Sequence, residues 1–172
     1  DGTVIDGTGA QDERYWGHRL NEIREWLKVE PMETSDNDCI INFRGGEFVS
    51  NPDLFLGINY WDKAIQIMRD KYPNIGFMVH TDDMITAKKF FPDFYVHYNE
   101  MVTNDKRYNN MAFNWRAIRY TKHLILSNSA FGILPALLNE NVKEVIAPRF
   151  WAGRNVKEWR RPQNFYKKFT YI

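Results

Sequence analysis

The sequence predicts an α/β fold: a Rossmann-like parallel sheet of about five strands with helices on both faces. Three observations carry this expectation. Five short, mostly apolar runs, "DCIINF", "IGFMVH", "FYVHY", "LILSN" and "KEVIAP", punctuate the chain. Between them lie stretches whose apolar residues recur at helical spacing. The strand, loop, helix order repeats, and a parallel sheet covered on both faces accommodates it most economically. At 172 residues the chain reads as one domain over 1–172, large enough to bury roughly 70% of its unfolded surface.

The elements follow in order. "QDERYWGHRLNEIREWLKV", residues 11–29, predicts a leading packing helix, with Trp16, Leu20, Ile23 and Leu27 on one face, acids in the first turn and Lys28 in the last. "DCIINF" predicts a strand that ends in "RGGEF", where two glycines break regularity. "LGINYWDKAIQIMRDKYP" predicts a helix with Ile58, Trp61, Ile65, Met68 and Tyr72 on its core face and Pro73 just past its end. "IGFMVH" runs into "TDD", "MITAKKFF" reads as a short helix, and "FYVHY" as a strand. "YNNMAFNWRAIRYTKH" places Tyr108, Met111, Trp115 and Ile118 on a helix face before "LILSN". Proline is tolerated in the first turn of a helix and costs ~3 kcal/mol in its interior, so Pro135 predicts that the next helix begins near Phe131 or Gly132. "KEVIAP" is the last predicted strand, and residues 151–172 form a basic aromatic tail.

Composition excludes several classes. No run approaches the ~18 apolar residues that would span a bilayer. Cys39 has no cysteine partner and reads as a small buried hydrophobe, so nothing asks for an oxidising compartment and the expected location is cytoplasmic. The chain opens on Asp1 instead of Met, which is compatible with a piece of a larger protein. Residues 1–53 hold twelve acids against five bases and residues 143–172 eight bases against two acids, a polarity suited to an anionic ligand near the basic end.

In parallel sheets ligands bind beyond the carboxyl ends of the strands, which singles out "RGGEF", "HTDD" and "SNSAF". Asn128, Ser129 and Ala130 stand at the mouth of a helix, where one cap needs one residue; hydroxyls beside free N–H groups would hold phosphate. Arg44 leaves the first strand into glycines, and a guanidinium holds phosphate through paired hydrogen bonds or serves as a surface ion pair. Thr81, Asp82 and Asp83 either cap a helix or offer a carboxylate to a ribose or a purine N–H edge. His18, His80, His97 and His123 are scattered, so a metal is not expected. No G-x-S-x-G elbow supports serine-hydrolase chemistry. "DGTGAQDE" imitates a dinucleotide fingerprint but has Asp12 at its third glycine position, and acids there would repel pyrophosphate. The tail mixes bases with aromatics as a single-stranded RNA surface does, although such tails more often pack their rings and leave the charged heads in water.

Read together, these segments resemble the alpha-1,2-fucosyltransferase family and its wider superfamily. "LILSNSAFGILPALLNENVKEVIAPRFW", residues 124–151, is similar to that family's N-S-S-F-S-W-W-G-A-W-L-N segment followed by a strand ending in A-P-x-x-W. "NFRGGEF" resembles its H-x-R-R-G-D-[YF] motif, "FMVHTDD" its F-S-D-D strand, and "QDERYW" its Q-S-E-K-Y-F segment. Asn42, Gly45 and Glu47 stand where the motif has histidine, its second arginine and aspartate. The family's glycine-rich G-G-x-G-N-Q segment, which belongs to its other domain, is absent.

The resemblance implies the C-terminal, nucleotide-binding half of a two-domain, GT-B-type glycosyltransferase, missing an N-terminal acceptor domain. Its donor would be GDP-fucose or another GDP-sugar and its acceptor a glycan hydroxyl, with inversion and without a metal or other cofactor. Arg44 would neutralise the departing diphosphate, and Ser129 with the N–H groups of Ala130 and Phe131 would hold the phosphates. Asp82 or Asp83 would contact ribose or guanine, and Glu47 is the motif-matched candidate for a general base. The alternative is a non-catalytic nucleotide- or RNA-binding module.

Overall fold

The computed structural model describes residues 13–98, 106–161 and 166–172. The glycines of the start "DGTGAQDE", with everything in it before Glu13, and the side chain of Tyr108 lie outside the described residues. The elements run α1 (Glu13–Trp16), α2 (Leu20–Trp26), β1 (Asp38–Phe43), α3 (Gly46–Val49), α4 (Ile58–Lys71), β2 (Gly76–Thr81), α5 (Met84–Phe90), β3 (Tyr95–Tyr98), α6 (Lys106–Tyr120), β4 (His123–Leu126), α7 (Ala130–Leu138), β5 (Glu144–Ala147) and β6 (Thr170–Tyr171).

All five predicted strands form, and a sixth joins them in one parallel sheet of order β3-β2-β1-β4-β5-β6. The extra strand comes from the tail. Its two paired residues are too few to show a period, but Ile172 N–H donates to the Ala147 carbonyl and Arg149 N–H to the Ile172 carbonyl, which anchors it to β5.

Both faces of the sheet are buried, and period-two alternation divides each strand between two cores. Cys39, Ile41 and Phe43 of β1 face one core with Val79, Trp61, Ile65, Met68 and Phe91. Ile40 faces the other with Leu124, Leu126, Ile118 of α6 and Ile133, Ala136 and Leu137 of α7. Trp61 is fully buried and its indole N–H donates to the Leu56 carbonyl at 3.2 Å. Its ring lies 5.3 Å from that of Phe43. Cys39 is indeed a buried hydrophobe, with its thiol pKa pushed up by burial.

Several local expectations are corrected. The leading helix is not continuous: a 3-10 turn, Gly17–Arg19, separates α1 from α2, and no α2 side chain is fully buried. Leu27 and Trp26 are exposed. Ile58 and Met111, expected on core faces, are also exposed, Ile58 because it sits in the first turn of α4 beyond the sheet. The "RGGEF" loop contains the one-turn helix α3. α7 begins at Ala130, so Pro135 is its sixth residue. Proline at that place cannot donate to the carbonyl of Phe131, and the helix absorbs the loss because its face is buried against the sheet.

Candidate functional site

A sheet of this strand order changes direction between β1 and β4: successive strands add outward on one side from β1 and on the other from β4. At such a switch point the loops leaving neighbouring strands diverge and open a crevice at the carboxyl edge. A small cleft lies there, lined by Asn42, Arg44, His80, Asp82, Asn114 and Ser129 together with Phe43, Thr81 and Phe131.

Arg44, the first residue past β1, is one-third exposed and makes an ion pair with Asp82 and another, at 2.5 Å, with Glu47. The guanidinium also lies 5.6 Å from the centre of the Phe48 ring. Asp82 accepts from the Gly45 N–H at 2.9 Å, so one carboxylate holds both the side chain and the loop that follows it. The two glycines are required by this arrangement. Gly46 has φ +39°, and a Cβ there would stand 2.7 Å from Asp82 Oδ2. A Cβ on Gly45 would stand 2.5 Å from that of Asp83, so this loop has no room for the arginine of the resembled motif.

Thr81, which ends β2, and the two aspartates after it divide their work. Thr81 Oγ1 accepts from the Asp83 N–H at 2.9 Å. Asp83 caps α5, accepting from the Thr86 N–H at 3.0 Å and its hydroxyl at 2.6 Å. Asp82 alone faces the cleft with its carboxylate. Glu47 is mostly exposed, and the hydrogen bond from Arg44 holds its pKa below the ordinary carboxylate value.

The "SNSAF" segment divides likewise. Ser127 donates to Asn42 Oδ1 at 3.2 Å. Asn128 is buried and its amide donates to the carbonyls of Leu54, at 2.9 Å, and Trp151, at 2.6 Å, tying two loops to the end of β4. Ser129 is the N-cap residue of α7 but its hydroxyl makes no capping bond. The Ser129 carbonyl accepts from Gly132 and Ile133, while Ala130 and Phe131, as the first two helical residues, have N–H groups with no intrahelical acceptor. α7 carries no acid in its first turn, so its positive end faces the cleft uncompensated. Of the sequence candidates, the cleft gathers Arg44, Thr81, Asp82, Ser129 and Phe131; Asn128 and Asp83 are spent on loops and a helix cap.

Three lining residues, Asn42, His80 and Asn114, were not among the site candidates read from the sequence. Asn42 and His80 are register partners on β1 and β2, and His97 is the partner of His80 on β3. They form a polar row across the face covered by α6 and α7, one position short of the sheet edge. Asn114 of α6 meets this row, its Oδ1 2.6 Å from His80 Nδ1. Burial above all, and then the neighbouring His97, pushes the His80 pKa down to about 4, so the ring is neutral at pH 7. The signal was a polar residue inside each otherwise apolar run. The histidines are thus less scattered than the sequence suggested, with His80 and His97 rings 5.2 Å apart. Among the described residues no group of three His, Cys, Asp or Glu is placed to hold a metal, and no helix is long and apolar enough to cross a membrane. Tyr166 and Phe169 of the tail are buried, which removes them as stacking platforms.

The family model for glycosyl transferase family 11 matches residues 18–172. The chain belongs to glycosyl transferase family 11. Two similar proteins are distant in sequence. The chain is 28% identical over 145 residues to the O-antigen biosynthesis glycosyltransferase WbnK of Escherichia coli, which covers 78% of this chain and 45% of that protein. It is 24% identical over 160 residues to an alpha-1,2-colitosyltransferase of Escherichia coli, covering 84% of this chain and 54% of that protein. The chain therefore spans about half the length of the curated relatives it matches. Family 11 membership agrees with the α/β sheet and with the fucosyltransferase resemblance of the sequence motifs.

Proposed function

We propose that this domain binds the diphosphate of a GDP-sugar and forms the donor half of an enzyme that transfers the sugar to a glycan hydroxyl. The observation that carries the reading is the switch-point cleft, where the uncapped positive end of α7, the free-standing Ser129 hydroxyl and Arg44 converge. Helix N–H groups and a guanidinium are together the elements of a phosphate site.

In this reading the diphosphate lies across Ala130 and Phe131 N–H groups and exchanges with Glu47 for Arg44. As the sugar–oxygen bond breaks, charge grows on the diphosphate, and Arg44 with the helix end stabilises it without a metal. Glu47 leaves Arg44 in the same exchange, so its carboxyl regains ordinary basicity when the donor is in place. It then takes the proton of the acceptor hydroxyl, which attacks the anomeric carbon from the face opposite the diphosphate and inverts it. Asp82 remains on the Gly45 N–H and is available to a ribose hydroxyl.

The sugar need not be fucose, since one relative is an alpha-1,2-colitosyltransferase. An acceptor-binding domain would come from the half of the relatives' length that this chain does not span.

Calorimetric titration with GDP tests the reading, with GMP, UDP and NAD as controls and a repeat in EDTA. Selective GDP binding that survives EDTA and is lost in Arg44→Ala supports it. Equal binding by the variant, or no binding of any nucleotide, overturns the assignment of this cleft.

A further inference from the structure

At the far end of α7 from the cleft, roughly 15 Å away by helical rise, three cations from distant parts of the chain meet one carboxylate. Arg24 comes from α2, Arg119 from the last turn of α6, and Lys168 from the segment leading to β6; Glu140 follows α7. Arg24 Nε is 3.8 Å and Arg119 Nη2 3.9 Å from the Glu140 carboxylate, beyond hydrogen-bond range.

The Arg24 guanidinium is under-satisfied. Arg119 is only 11% exposed, with the Glu140 carboxylate and, 5.5 Å away, the Tyr120 ring as neighbours. Arg24 gives one N–H to Asn21 Oδ1 at 2.7 Å, but its buried Nε has no hydrogen-bond partner among the described residues. Burying a guanidinium without acceptors for its N–H groups is costly unless an anion completes them. The Lys168 pKa is pushed down to about 8, by burial first and then by Arg24 and Arg119, which marks the same excess of positive charge. Burial also lowers that of Arg119.

Cations at helix C-termini are ordinarily explained by the helix dipole. That accounts for Lys168, whose ammonium donates to the Asn139 carbonyl at the end of α7. It does not account for two guanidiniums lining a polar cavity of about 360 Å³, where Lys28 and Glu25 pair with each other at 3.6 Å. Glu140, 62% exposed, closes one side and neutralises one charge of the three.

We propose that this pocket binds a phosphate group, free or as the monoester of a small metabolite, between the guanidiniums of Arg24 and Arg119. A tetrahedral dianion supplies several acceptors to two forks at once and balances the excess charge of two. The site is separate from the donor cleft and does not depend on the reading given to that cleft.

The test is calorimetric titration of the 172-residue chain with inorganic phosphate and with glycerol 3-phosphate, against sodium chloride at matched ionic strength. Binding is expected to persist in Arg44→Ala, to weaken at least tenfold in Arg24→Gln and Arg119→Gln, and to tighten severalfold in Glu140→Gln, which removes the competing carboxylate. Arg24 and Glu140 are the more exposed members, so their opposite effects decide the matter even where the Arg119 variant fails to fold. Tighter binding of glycerol 3-phosphate than of phosphate identifies an ester ligand, and the reverse identifies the free ion. Heat that vanishes in Arg44→Ala, or that Arg24→Gln and Glu140→Gln leave unchanged, or that chloride reproduces, overturns the site.

Discussion

Gly132 of α7 lies so close to Oδ1 of Asn42 on β1 that a methyl group on the glycine would overlap that oxygen. The same oxygen accepts the Ser127 hydroxyl at 3.2 Å, so helix, first strand and the end of β4 meet at one atom. Alanine is worth ~1 kcal/mol more than glycine inside a helix. Overlap with a hydrogen-bonded side chain in a packed core costs about 1–3 kcal/mol. Gly132→Ala is therefore expected to lower stability in urea unfolding and to weaken GDP binding by tilting the start of α7. Higher stability in the variant would mean that Asn42 turns aside freely.

Arg44 is the cation of the cleft, and charge-assisted hydrogen bonds are worth about 1.5–3 kcal/mol. Arg44→Ala should weaken GDP binding by roughly tenfold to a hundredfold, and Arg44→Lys should recover only part of this because an ammonium lacks the paired donors. Calorimetry of the three proteins gives the order; a lysine variant equal to the parent would show that charge alone suffices.

His80 makes the fold sensitive to acid. Its folded pKa, pushed from 6.5 down to about 4, lies below the unfolded value. Between these pH values the unfolded chain binds the extra proton, so stability is full above about 6.5 and is lost as pH falls toward 4. The loss attributable to this ring is about 3 kcal/mol. His97, whose pKa burial also lowers, acts in the same direction. Urea midpoints at pH 7.5 and pH 5 should differ less for His80→Gln than for the parent chain; an equal gap would assign the acid sensitivity elsewhere.

Asn128 links the loops after α3 and β5 to the end of β4. Asn128→Ala removes two hydrogen bonds, leaving the Leu54 and Trp151 carbonyls to Arg154 alone, and should cost about 2 kcal/mol at the usual ~1 kcal/mol per hydrogen bond. Its effect on GDP affinity should be smaller than that of Arg44→Ala, a contrast that separates support from contact. A variant that binds GDP no better than Arg44→Ala would place Asn128 at the ligand.

The sheet was legible because each strand is a short apolar run, which two buried faces require. β6 was not, since two residues carry no pattern and its partner is β5 across a long loop. Arg44 and Ser129 were legible from their place after strands, where parallel sheets expose backbone N–H groups. Asn114 was hidden on the apolar stripe of α6, beside Trp115 and Ile118, and only the register of His80 explains it. The partition of "TDD" and "SNSAF" into residues that face the cleft and residues that brace it is a tertiary fact. It depends on what lies opposite: Gly45 for Asp82, and Leu54 and Trp151 for Asn128.

Arg44 already holds two carboxylates, from Asp82 and Glu47, when nothing is bound. Occupation of the cleft by the proposed diphosphate would therefore be a trade of one anion for another at Arg44, whose own charge is little offered to passing ions. Such a site should show shallow salt dependence and indifference to chloride, because a monatomic ion must displace the Glu47 carboxylate from Arg44 to enter and cannot also reach the helix end. Selectivity then rests on a ligand able to span from the guanidinium to the mouth of α7 in one piece.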